Sequence, residues 1–132
     1  MKITNRQVIE FINSVSANKL ASKRLPVKVA YAISRNLDKM NNIITSYETA
    51  RKTLLDQYAE KDEEGKAKVE DGNYVIQEDQ KQAFSDEMKE LLEVENEIDL
   101  HTINMDEVEK CDTDKYDSLT TADLMTLDIM IN

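Results

Sequence analysis

At 132 residues, 40% of them apolar, the chain is the size of one ordinary domain with a real core. Two Gly and one Pro leave too little turn material for a barrel or sandwich of many strands, and one Cys with one His excludes a disulfide framework or a Cys/His zinc site. Seventeen basic against twenty-seven acidic side chains give a net charge of -10, and no apolar run approaches the ~18 residues of a membrane span or forms the core of a signal peptide.

Thr4 followed by Gln7 has the form of a capping box, and Val8, Ile9, Ile12, Val15 and Leu20 then recur at helical spacing. A first helix is predicted over 5–21, with Lys19, Lys23 and Arg24 near its C-terminal end, where cations complement the dipole. Leu25-Pro26 breaks it, because a residue before proline leaves the helical region while proline suits the first position of the next helix. A long helix is predicted over 26–59. Its apolar positions Ala30, Ile33, Leu37, Met40, Ile44, Tyr47, Leu54 and Tyr58 alternate by three and four, with Arg51 the exception, which reads as the heptad seam of a coiled coil. At about 1.5 Å per residue this is a rod of roughly 50 Å, and a first helix of about 25 Å covers half of it.

The acidic run Glu60 to Glu64 reads as a solvated exit. A β-hairpin follows over 66–77: Ala67 and Val69 precede Asp71-Gly72, Tyr74 and Ile76 follow, and Asp-Gly supplies the two positive-φ residues of a type I′ turn. A third helix over 79–94 carries Phe84, Met88, Leu91 and Leu92 on one face and is about the length needed to complete the cover of the rod. The alternation of 95–103 predicts a strand, and because an isolated hairpin is marginal, it is expected to pair with that hairpin. Residues 104–119 read as a polar acidic linker. A C-terminal helix over 121–131 is capped by Thr120 or Thr121 and carries Leu124, Leu127 and Ile131, an apolar terminus that must dock on the body or on a partner. The expected fold is mainly α (α+β): a single domain with a long central helix, two shorter antiparallel helices, a small antiparallel sheet of hairpin plus third strand at one end, and a short C-terminal helix.

The charge is unevenly placed. Residues 1–58 hold ten Lys/Arg and four Asp/Glu, a balance of +6, and residues 59–132 hold seven and twenty-three, a balance of -16. Two such halves attract, within the fold or between copies.

No phosphate cradle exists, since two isolated glycines cannot build one. Asp112, Asp114 and Asp117 open like a calcium loop but lack its Gly and its closing Glu. His101 has no nucleophile in context and reads as a surface histidine, and carboxylate pairs such as Glu93/Glu97 are too common here to inform. No cofactor, metal or small-molecule substrate is indicated, and the chain reads as a non-enzyme. The cluster Lys19, Lys23, Arg24, Lys28 and Arg35, near Tyr31, has the chemistry to meet phosphates, but the acidic remainder disfavours nucleic acid.

The runs Leu25 to Leu37 and Tyr47 to Tyr58, the motif Glu60 to Gly65, Gly72-Asn73-Tyr74, Phe84, Glu90 to Leu92, the segment Glu95 to Leu100 and the ending Leu124 to Ile131 together resemble a family of small proteins of unknown function. Its members are encoded by phages and prophages, especially of Gram-positive bacteria. The resemblance covers nearly the whole chain and implies a setting, the host cytoplasm or the virion, but no reaction. It leaves two expectations open. One is a phage accessory or assembly protein acting by protein–protein contact or self-association, with Lys19, Lys23, Arg24, Lys28, Leu124, Leu127 and Ile131 as contact residues. The alternative is an acidic inhibitor, of the anti-CRISPR kind, directed at a host nucleic-acid enzyme or anti-phage defence complex.

Overall fold

A computed structural model describes residues 1–132. It contains five helices, α1 Asn5–Ala17, α2 Val27–Tyr58, α3 Lys81–Leu92, α4 Met105–Glu109 and α5 Thr121–Leu127, and four short strands, β1 Lys2–Thr4, β2 Val69–Glu70, β3 Asn73–Tyr74 and β4 Glu95–Glu97. The mainly helical architecture around one long helix is as the sequence predicts.

Local chemistry explains the boundaries. The Thr4 hydroxyl accepts from the Gln7 N–H at 3.1 Å and the Gln7 side chain accepts from the Thr4 N–H at 2.9 Å, a complete capping box on α1. The same device, Thr120 with Asp123, starts α5. After α1 the chain turns through Lys19, at φ 53°, into a short 3-10 turn Leu20–Ser22, and Pro26 introduces α2. Asp71 and Gly72 have φ of 51° and 80°, so the hairpin turn is of the positive-φ kind that Asp-Gly specifies.

Seventeen buried apolar residues form one core, and every one lies in 3–40 or 98–130. This body is built by α1, the first half of α2 and the C-terminal segments. The intervening residues 41–97 make an arm: the second half of α2, the hairpin and α3, which packs back along α2 with Phe84 edge-on to Tyr58 at 6.0 Å. No α3 residue is fully buried. Strand β1 pairs antiparallel with β4, Lys2 opposite Glu97, and closes the joint between body and arm. There the Asn5 side chain donates to the Leu91 carbonyl at 2.7 Å and accepts from Asn96 at 2.9 Å.

Three expectations are corrected. The third strand is Glu95–Glu97 and pairs with β1, not with the hairpin, so there are two two-stranded sheets. Beyond it Ile98, Leu100 and Ile103 dive into the core as extended chain. Residues 104–119 are not a linker: α4 and the 3-10 turn Lys110–Asp112 occupy them, because Val108 and Cys111 bury one turn apart against the body. Nor does α2 present a simple heptad seam. Its first half buries Val29, Ala32, Ile33, Asn36 and Met40 while Ala30 is exposed, since the C-terminal segments cover a second face that the seam does not include.

Candidate functional site

The +6 and -16 halves meet inside the molecule. Lys2 pairs with Glu95 at 3.7 Å, Arg6 with Glu93 at 2.8 Å, Lys23 with Asp123 at 3.3 Å, Arg24 with Asp117 at 3.9 Å and Lys28 with Glu107 at 3.6 Å. The Arg24–Asp117 connection is also a main-chain one, with the Arg24 N–H donating to the Asp117 carboxylate at 2.7 Å and the Asp117 N–H to the Arg24 carbonyl at 2.9 Å. Asp123 is 1% exposed. Burial pushes its carboxyl up, but the Thr120 N–H and hydroxyl and the Lys23 ammonium outweigh that and hold it below the usual range. The Lys110 and Lys28 ammonium groups likewise hold Glu107 down.

The expected contact residues therefore divide. Lys19 is exposed on its left-handed turn; Lys23, Arg24 and Lys28 serve the ion pairs above. Leu127 is fully buried in the core, Leu124 and Ile131 are half-buried against it, and Ile131 bridges to Ile103. The apolar terminus docks on the body.

Pairing leaves two surfaces. The first lies on the arm: residues 59–99 hold five lysines and fifteen carboxylates, a balance of -10, and over the whole arm, 41–97, seven cations and sixteen carboxylates leave -9 against -1 for the body. Lys66, Lys68 and Lys81 bridge to carboxylates of the arm itself, and Glu63, Glu90, Asp71, Asp79 and Asp86 remain exposed.

The second is a cleft of about 440 Å³ on the body, between the first turns of α2 and the segment 101–107. Val27, Lys28 and Tyr31 form one wall; His101, Asn104 and Glu107 form the other. The Tyr31 and His101 rings meet edge-on at 5.2 Å. Behind them Asn36, fully buried, holds the His101 main chain: its amide donates to the His101 carbonyl at 2.9 Å and accepts the His101 N–H at 2.8 Å, with a further contact to the Met130 sulfur at 3.5 Å. The sequence offered Tyr31 and His101 as separate side chains. Only the i, i+4 spacing of Val27, Tyr31 and Arg35, an exposed apolar stripe with a cation, could have marked the wall.

No three His, Cys, Asp or Glu side chains converge as a metal site. Cys111 is buried and its thiol is pushed up by that burial, away from nucleophilic use. No helix is long and apolar enough to cross a membrane. No protein-family model matches the chain, and no curated protein or solved structure is similar enough to count as a relative.

Proposed function

We propose that this is a non-enzymatic accessory protein of a phage or prophage, of the assembly kind, that works by protein–protein contact and meets its partner with the acidic arm. The observation that carries the reading is the placement of charge. A nearly neutral body, at -1, holds out an arm at -9, and a surface of one sign selects partners of the other and speeds their encounter. The sequence resemblance supplies the phage setting. The docking of the C-terminus on the body through buried Leu127 and Met130 supports the arm, over the C-terminus, as the surface offered to a partner.

The decisive measurement is capture of host and phage proteins by the immobilised chain at two salt concentrations, repeated with Glu63→Gln, Glu64→Gln, Glu70→Gln and Asp71→Asn combined. A basic partner retained at low salt, released at high salt and lost with the four substitutions is expected. Capture indifferent to those substitutions would overturn the reading. A narrower form, an acidic inhibitor occupying a nucleic-acid groove, is favoured by the density of fifteen carboxylates in forty-one residues. It predicts that added DNA displaces the chain from that partner, which an assembly contact does not.

A further inference from the structure

The Tyr31–His101 cleft has the features of a prepared contact. Of the seven large apolar side chains left exposed, two stand together there: Val27 at 80% and Tyr31 at 54%. The cleft is rigid for an exposed feature, because buried Asn36 fixes the His101 main chain and His101 in turn braces Tyr31. Ring systems held this way lose little freedom on binding, which is why tyrosine serves so well in contact surfaces. Cations rim it. Lys28 and Arg35 fall on the same stripe of α2 as Tyr31, and the Lys28 side chain is 72% exposed even in its ion pair with Glu107.

The matching chemistry is at the other end of the same molecule. At the hairpin Val69, 52% exposed, precedes Glu70 and Asp71, with the exposed run Asp62 to Glu64 beside it. The arm cannot reach its own cleft. Tyr31 and Tyr58 are separated along one unbroken helix by about 40 Å, some five Debye lengths at physiological salt. For the same reason the arm's charge does not cancel the cationic rim of its own body. A second copy can bring its hairpin there.

We infer that the chain associates head to tail, the acidic hairpin end of one copy seating an aliphatic side chain against Tyr31 and His101 of the next, with its carboxylates on Lys28 and Arg35. The inference rests on the protein-contact reading and names a second copy as a partner. A contact between two different surfaces does not close on itself as a two-fold dimer does, so it propagates into rings or filaments.

Sedimentation of the full chain over a wide concentration range, at about 100 mM and about 500 mM salt, tests it. Mass should grow with concentration at the lower salt and fall back at the higher. Tyr31→Ala and Arg35→Glu, both on the exposed stripe, should each weaken association by about tenfold with unchanged helical circular dichroism. Arg35→Glu mixed with the doubly substituted Glu63→Lys, Glu64→Lys chain should associate better than either variant alone. A wild-type monomer throughout overturns the inference, as does association that ignores Tyr31→Ala. A monomer that still captures a basic protein through its arm leaves the contact reading standing and removes only the second copy.

Discussion

Met40, in the first half of α2, is fully buried in a core of seventeen apolar residues, itself included, to which α1, α2, α4, α5 and the chain around them contribute. Past it, α2 runs on into an arm where only Tyr47, Leu55 and Ala59 are buried and where α3 buries nothing completely. The charge follows the same division, -1 in the body and -9 in the arm. One helix thus serves two kinds of surface. Where apolar partners surround it on several sides the fold is fixed by packing. Where one helix and a small hairpin accompany it, carboxylates crowd a structure with little core to oppose their repulsion.

The contrast in packing carries the largest expected effect. Leu127→Ala, at a site with no exposure, should cost about 2–5 kcal/mol of global stability. Leu91→Ala, at a half-buried arm position, should cost about 1 kcal/mol. Denaturant titration gives both values, and equal losses would erase the distinction between body and arm.

An intermediate effect is expected at the clasp between α5 and the turn that precedes α2. Lys23→Met leaves Asp123 buried without its cation and should cost about 2 kcal/mol at neutral pH, less than a wholly buried pair would because Lys23 is about a fifth exposed. Asp123 has a folded-state pKa below its ordinary 3.8, so its stabilising contribution is full above about 3.8 and is lost as pH falls through the folded value. The gap between wild type and Lys23→Met should therefore hold steady from neutral pH down to about 4.5 and shrink below 3.8. A gap that stays constant to pH 3 would assign the cost to lost packing by the lysine stem.

Smallest, and specific to the arm, is the response to salt. Screening relieves like-charge repulsion, so amide exchange in α3 and the hairpin should slow severalfold between low and moderate salt while the amides of α1 barely change. Uniform slowing would mean that the carboxylates do not strain the arm.

Much of this division was legible in the residues. Capping pairs, the Asp-Gly turn and the 3.6-residue pattern mark α1, α2, α3, α5 and the hairpin, because each is a local signal. The misses are long-range. Lys2–Thr4 is too short to announce itself, so local signals point Glu95–Glu97 to the hairpin and not to its true partner. In 104–119 two apolar residues, Val108 and Cys111, are hidden among acids, and their burial depends on a surface made by distant segments. Asn36 reads as an ordinary polar helical residue, and nothing local reveals that it faces His101, 65 positions away. Of the candidate site, the acidic surface was visible as a count, and the cleft was visible only as two unconnected rings.

The pairing of Lys2 with Glu97 also has a consequence in time. The body is discontinuous in sequence: its core comes from 3–40 and 98–130, and the arm is the chain between. During synthesis the hairpin and the α2–α3 pair have all of their partners as soon as about residue 92 has emerged, whereas α1 and the first half of α2 must wait for the last third of the chain before Ile98, Val108, Leu127 and Met130 can cover them. Late closure over long separations is slow and leaves apolar surface open meanwhile. The better-packed region is thus the last to form, and the thinly packed arm, kept soluble by its carboxylates, is the part the nascent chain can complete first.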